Sequence, residues 1–106
     1  MPKLNVTSRA SIPVLALLIA GFAFPALAYT GQELAPQAKV TMAQARAIAL
    51  KARSGTVTDS ELEREGGGTG LRYSFDIKSA GTTYEVGVDA RTGNVLENKA
   101  EGSNPD

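Results

Sequence analysis

The sequence LRYSFDIKSAGTTYEVGV, residues 71–88, decides the fold. Large apolar side chains occupy every second position on both sides of a central break, which is the period of a strand with one buried face. They are Leu71, Tyr73, Phe75, Ile77, Tyr84, Val86 and Val88. Pairing Ile77 with Tyr84 keeps all of them on one side and leaves Ala80-Gly81 as a two-residue turn. The stretch therefore predicts an antiparallel β-hairpin in a single register.

A helix is predicted before the hairpin, over residues 42–53. Thr41 is the expected N-cap, and Gln44 three residues later completes a capping box. Ser54-Gly55 supplies the stop. The apolar residues lie at the spacing of one helix face: Met42, Ala45, Ile48, Ala49 and Ala52. The alanines in this stripe predict a close approach of the helix to a sheet.

Residues 56–65 are predicted to form a first strand, with a bulge near Thr58 or Asp59 because Val57 and Leu62 have opposite parity. Placing Leu62 on the face of Phe75 allows the two to pair, and Glu65 then lies opposite Arg72. The glycine-rich residues 67–70 become the connecting loop. No Lys-Ser/Thr follows them, so a hairpin loop is favoured over a phosphate-binding loop.

A turn and a short last strand are predicted after the hairpin. Asp89 is expected to bond to the backbone of the turn, and Gly93 to adopt a positive φ. Residues 95–98 then form the fourth strand. The prediction is an α+β fold, with one α-helix packed on a four-stranded antiparallel β-meander.

The N-terminus has the order of a secretory signal peptide. Lys3 and Arg9 precede an uncharged run over residues 10–24, followed by Pro25 and the small-x-small sequence Ala26-Leu27-Ala28. The run is shorter than the ~20 apolar residues of a spanning helix. We expect residues 1–28 to be cleaved and the chain to be periplasmic or secreted, with no membrane insertion after cleavage. Residues 29–39 are predicted to be a flexible leader and residues 99–106 a disordered tail.

Composition excludes most catalytic chemistry. The chain has no His and no Cys, which removes the usual general base, the thiolate nucleophile and most zinc sites. We therefore expect no enzymatic activity and no cofactor. Removing residues 1–28 takes away Lys3 and Arg9 and no acid, which leaves nine basic and eleven acidic residues. This balance argues against nucleic acid as a partner.

Charge placement suggests surfaces for a partner. Asp59, Glu61, Glu63 and Glu65 alternate along the first strand and are joined on the open sheet face by Asp76 and Glu85. Such a face is a solvated outer surface, a Ca²⁺ site or a contact for a basic partner. The helix side is basic, and the last strand is expected to be a sheet edge. The candidate partner-binding residues are Arg46, Leu50, Arg53, Glu61, Glu63, Val95, Leu96 and Glu97.

Residues 40–98 resemble the PepSY domain. The resemblance lies in the helix, in YSFDI at 73–77, in Gly81 with YEV at 84–86, and in DARTGNV at 89–95. It implies a helix on an antiparallel sheet and a place among propeptides of secreted metallopeptidases and stand-alone exported proteins. It also implies a role in restraining peptidases, with no catalytic residues to carry over. Gly87 departs from the polar residue common in the family and is expected to leave a bare patch.

Three hypotheses for function follow. The leading one, which the resemblance implies, is an exported non-catalytic module that binds a protein partner and modulates or inhibits a secreted or envelope peptidase. The second is a ligand or cation sensor that uses the acidic sheet face. The third is an envelope protein that self-associates weakly through a sheet edge.

Overall fold

A computed structural model describes residues 28–102. The predicted signal peptide, apart from Ala28, and the last four residues of the predicted tail lie outside the described residues. The elements are a 3₁₀ helix (Gln32–Gln37), helix α1 (Met42–Ala52) and strands β1 (Thr56–Arg64), β2 (Leu71–Ser79), β3 (Thr82–Asp89) and β4 (Val95–Ala100).

The four strands form one antiparallel sheet in the order β1-β2-β3-β4. Helix α1 packs on one face of this sheet and contacts β2, β3 and β4. The predicted α+β arrangement of one helix on a four-stranded meander is confirmed.

The central hairpin has the predicted register. Ile77 pairs with Tyr84 and Phe75 pairs with Val86, so the alternating apolar residues share the face beneath α1. The two turn residues both have positive φ, 51° at Ala80 and 83° at Gly81. Positive φ at both central positions matches the right-handed twist of the flanking strands, which is why a two-residue turn closes here.

The register between β1 and β2 differs from the prediction. The bulge is confirmed between Val57 and Asp59, but Leu62 pairs with Tyr73 instead of Phe75. Arg72 consequently lies opposite Glu63 and not Glu65. A slip of two residues leaves every side chain on the same face, so the apolar pattern is the same in both registers.

Helix α1 begins as predicted. Gln44 N donates to Thr41 Oγ1 over 3.0 Å, and Thr41 N donates to Gln44 Oε1 over 2.9 Å, which completes the capping box. Ala45 and Ala49 are fully buried against the sheet. Their small side chains let the helix backbone approach the strands closely. The helix ends at Ala52, one residue earlier than predicted, because Arg53 is extended.

The core lies between α1 and the sheet. Its fully buried large side chains are Leu62, Leu71, Tyr73, Phe75, Ile77, Val86 and Val88. The phenol of Tyr73 donates to Val40 O over 2.7 Å, so this buried hydroxyl is satisfied. Ile48 lies at the margin of the core and is only partly buried.

Residues 29–39, which the sequence predicts to be a flexible leader, contain the 3₁₀ helix and pack against the domain. Thr30 makes a parallel bridge to Glu61, and Thr30 O accepts from Leu62 N over 2.8 Å. Gly31, at φ 86°, lies so close to the Leu62 carbonyl that a Cβ would overlap with it. Tyr29, Leu34, Ala35 and Ala38 pack against the core. They follow neither the α-helical nor the strand period, because the stretch forms a 3₁₀ helix held by backbone contacts.

Candidate functional site

The residues predicted to bind a partner lie in three places. Arg46, Leu50 and Arg53 belong to the helix side, Glu61 and Glu63 to β1, and Val95, Leu96 and Glu97 to β4. The structure does not bring them together into one site. Strands β1 and β4 are the two edges of the sheet, and β4 is the edge strand that carries three of the predicted residues.

The helix-side residues are less free than the sequence suggested. The Arg53 guanidinium lies 3.7 Å above the centroid of the Tyr84 ring, and Arg53 Nε donates to Asn98 Oδ1 over 3.1 Å. Asn98 Nδ2 in turn donates to Ala52 O over 3.3 Å. Leu50 is partly buried and packs against the core. These contacts fasten the end of α1 to β4.

The open face of the sheet concentrates negative charge. Strand alternation places eight acids on or beside it: Asp59, Glu61, Glu63, Glu65, Asp76, Glu85, Glu97 and Glu101. It carries the bases Arg72, Lys78 and Lys99. The sequence prediction missed the contribution of Lys99 and Glu101, because β4 was expected to end at residue 98. The tail begins later than predicted, since Lys99 and Ala100 are strand residues.

Three carboxyls on this face have raised pKa values. Desolvation by burial is the main cause of the raised pKa of Glu61, of Asp76 and of Glu85. Neighbouring acids add to it, with Glu63 acting on Glu61 and Glu97 acting on Glu85. The acids are therefore close enough to repel one another.

These acids do not converge on a point. Within residues 28–102, no group of three or more His, Cys, Asp or Glu side chains is arranged to hold a metal ion. The carboxylates follow the strands, whereas Ca²⁺ requires six to eight oxygens around one centre. The arrangement is better suited to an extended cationic partner than to a single ion.

Arg72 crosses the open face. Its Nη1 lies 3.0 Å from Glu97 Oε1, its Nη2 donates to Gly66 O over 3.0 Å, and the residue is 7% exposed. A Cβ on Gly87 would lie 3.0 Å from Arg72 Nη1. The patch at Gly87 is therefore not bare, because Arg72 covers it on the way to Glu97.

Asp89 organises the loops at one end of the sheet. Its carboxylate accepts from Thr69 N over 2.6 Å, Thr69 Oγ1 over 2.9 Å, Arg91 N over 2.8 Å and Thr92 N over 3.0 Å. Burial opposes ionisation, but these hydrogen bonds outweigh it and lower the pKa of Asp89 to about 2. The bonds to the turn confirm the sequence prediction, whereas the link to Thr69 was not foreseen.

Hydrogen bonds at the two ends of β4 establish which of its backbone groups point outward. Asp89 N donates to Asn94 O, and Glu101 N donates to Thr83 O, both over 2.8 Å. The register shifts between the pairs Val88–Val95 and Gly87–Glu97, which leaves Leu96 as the extra residue of a bulge. Because bonded and non-bonded pairs alternate on each side of this bulge, the N–H groups of Val95, Asn98 and Ala100 point away from β3. Val95 is also 44% exposed.

The two edges of the sheet differ. On β1, the outward N–H of Leu62 is occupied by Thr30 O. On β4, no strand or bridge of residues 28–102 pairs with the outer edge. An extended segment of another protein would therefore meet free backbone groups along β4.

The raised and lowered pKa values predict opposing effects on stability. The pKa values of Glu61, Asp76 and Glu85 are raised in the folded protein from their ordinary values of 4.5, 3.8 and 4.5. The protonated carboxyls therefore stabilise the fold fully below these ordinary pKa values, and the contribution is lost as pH rises through the folded-state pKa values. The pKa of Asp89 is lowered from 3.8 to about 2. The ionised carboxylate therefore stabilises the fold fully above pH 3.8, and this contribution is lost as pH falls through about 2. Thermal melts should therefore show the highest Tm in mildly acidic buffer.

The matched control for this prediction is Asp76→Asn combined with Glu85→Gln. This variant should lose most of the rise in Tm between neutral and mildly acidic pH, while the loss of stability at low pH remains. A Tm in the parent protein that rises steadily from acidic to neutral pH would contradict the pKa directions on the open face.

No helix of residues 28–102 combines the length and apolar composition that a membrane crossing requires.

A PepSY family model, described as "Peptidase propeptide and YPEB domain", matches residues 39–99, more than half of the chain. No curated protein and no solved structure matches the chain. PepSY domains are generally non-catalytic propeptide or regulatory modules and occur in extracellular or secreted proteins. With its sequence match and its helix-on-meander fold, the chain belongs to the PepSY family.

Proposed function

We propose that this protein is an exported, non-catalytic binding module that restrains a secreted or envelope peptidase by pairing the outer edge of β4 with an extended segment of it. The observation that carries the proposal is the asymmetry of the sheet, in which Thr30 bonds to the outer edge of β1 at Leu62 and the β4 edge is open among the described residues. The peptidase as partner class follows from the association of PepSY domains with peptidases.

Edge pairing suits this surface better than docking on the open sheet face. Among residues 28–102 the exposed large apolar side chain is that of Val95, which lies on the helix side, so the open face offers charges but no exposed apolar hot spot. An edge offers backbone donors and acceptors, whose hydrogen bonds supply affinity without side-chain anchors.

The absence of His and Cys supports a binding role. The most buried carboxylate, Asp89, is fully engaged with backbone and hydroxyl donors, and its low pKa makes it a poor proton acceptor near neutral pH. Asp89 therefore acts as a structural anchor.

The test is capture of a partner from native envelope and secreted fractions by the exported, tagged chain. Val95→Pro removes an outward N–H while keeping an apolar side chain, so it should abolish capture. Val95→Ala removes the apolar side chain while keeping the N–H, so it should retain most of the capture. Mass spectrometry identifies the captured protein, and adding the purified module should lower its peptidase activity.

A charge-reversed variant separates the edge from the acidic face. Glu61→Lys combined with Glu63→Lys leaves β4 intact and should reduce capture only partly. Each variant must first show the circular dichroism spectrum of the parent protein. If the charge reversal eliminates capture while Val95→Pro leaves it unchanged, the acidic face is the site and the edge proposal is wrong.

A further inference from the structure

A shallow apolar groove lies beside the beginning of β4, on the helix side. Its lining comes from the start of α1 and from the turn that leads into β4: Val40, Gln44, Ala47, Ile48, Thr92 and Gly93. Gly93 helps to keep the groove open, since a Cβ there would project into it and lie 3.4 Å from Ile48 Cδ1. Val95 follows this turn and pairs with Val88 of the core face, so its exposed side chain extends the apolar surface toward the edge.

The other side of the same edge has the opposite character. Glu97 and Lys99 of β4 pair with Gly87 and Glu85 of β3 and face the open side. Glu101 continues this row, and its charge raises the pKa of both Asp76 and Glu85. A strand added to β4 would therefore have an apolar groove on one side and an acid-rich surface on the other.

Because side chains alternate along a β-strand, the difference between the two sides of the β4 edge predicts the sequence pattern of a strand that pairs with it. Successive side chains of an added strand point to opposite faces of the sheet. One set would lie toward Val95 and the groove, and the alternate set toward the row of Glu97, Lys99 and Glu101. Glu97 already forms ion pairs with Arg72 and Lys99, so Glu101 and the neighbouring Glu85 are the acids that basic residues of the partner would meet. We propose that the segment that pairs with β4 is an extended stretch in which apolar residues alternate with Lys or Arg. This inference rests on the proposed function and specifies the chemistry of its partner.

Charge favours such a segment over a second copy of this chain. Two copies paired through β4 would form one continuous sheet, which places two acid-rich open faces side by side. A segment with alternate basic residues instead neutralises that face while its apolar residues cover Val95 and the groove.

The experiment uses short synthetic peptides with blocked ends as probes. In the first peptide valine alternates with lysine. The second has the same composition with the lysines grouped at one end, and the third has glutamate in place of lysine. Fluorescence anisotropy titration with the full exported chain should give at least about tenfold tighter binding for the first peptide than for either control. Equal binding of the first two peptides would overturn the inference.

Matched variants test each side of the edge. Ala47→Gln fills the groove with a polar side chain and should weaken binding of the valine–lysine peptide several-fold, whereas Ala43→Gln changes an exposed helix position outside the groove and should leave it unchanged. Glu85→Gln with Glu101→Gln should reduce the preference for lysine over glutamate. Equal effects of the two alanine substitutions would show that the groove takes no part.

The peptide experiment and the capture experiment can fail separately. If Val95→Pro abolishes capture of the native partner but the alternating peptide binds no better than its controls, the edge proposal stands and the partner chemistry is wrong. If neither the native partner nor the peptide responds to Val95→Pro, both are wrong. Sedimentation of the chain alone provides a further check, since a stable dimer that Val95→Pro dissociates would assign the edge to a second copy and overturn the inference.

Discussion

Replacing Phe75 with alanine is expected to lower the free energy of unfolding by ~3–5 kcal/mol. The Phe75 side chain is fully buried in the middle of β2, beneath α1 and beside Val86. Its ring stacks near that of Tyr73 at a centroid distance of 6.4 Å. Removing the ring leaves a cavity between helix and sheet that the close-packed alanines of α1 cannot fill. Chemical denaturation monitored by circular dichroism measures the loss.

Two comparison variants make this prediction specific to the core. Ile48→Ala removes a large side chain that is only partly buried, so its effect should be smaller than that of Phe75→Ala. Glu63→Ala lies on the open face and loses one hydrogen bond from Ser74 Oγ, so it should cost no more than about 1 kcal/mol. A larger effect for Glu63→Ala than for Phe75→Ala would mean that the buried face is assigned wrongly.

Asp89→Ala is expected to destabilise the protein by about 2–4 kcal/mol. The substitution removes the acceptor of four hydrogen bonds at a position that is 1% exposed. The backbone N–H groups of Thr69, Arg91 and Thr92 would then lack the partner that holds both loops. Amide hydrogen exchange should become faster at these three positions, and the denaturation midpoint should fall.

Asp89→Asn is the matched control, because it preserves the shape and one oxygen acceptor but removes the charge. Its stability should lie between those of the parent and of Asp89→Ala at neutral pH. The difference between the parent and Asp89→Asn should shrink as pH falls toward about 2, where the parent carboxylate becomes protonated. A difference that does not depend on pH would contradict the charged state of Asp89.

The sequence was sufficient for the central hairpin and the helix start, because each depends on a short-range signal. Alternation and a two-residue turn determine how β2 pairs with β3, and Thr41 with Gln44 determines the helix start. The register of β1 needed information from outside the pair. Thr69 of the loop between β1 and β2 bonds to Asp89 at the end of β3. The alternation of apolar residues around Leu62 cannot predict that contact, and it is satisfied equally by pairing with Tyr73 or Phe75.

The candidate site was predicted in outline only. That β4 is an edge follows from the order of the strands, but which N–H groups point outward depends on the bulge near Leu96 and on the bonds at each end of the strand. Arg53 looked free because a sequence cannot show that Tyr84 and Asn98 lie beneath it. The groove at Gly93 combines residues about fifty positions apart and has no local signal.

The bridge between Thr30 and Glu61 affects how many sheet edges of the domain are open to a strand of another molecule. The bridge covers the outer edge of β1 beside Leu62, whereas the outer edge of β4 has no bridge among the described residues, so β4 is the more open of the two edges. Thr30 lies only two residues beyond the predicted cleavage position at Ala28, and Gly31 is what lets the chain approach Leu62. Loss of residues 28–30 would remove this bridge and leave the outer edge of β1 without a partner among the described residues. The domain would then have two unpaired sheet edges, and edge-to-edge pairing could extend one sheet from molecule to molecule.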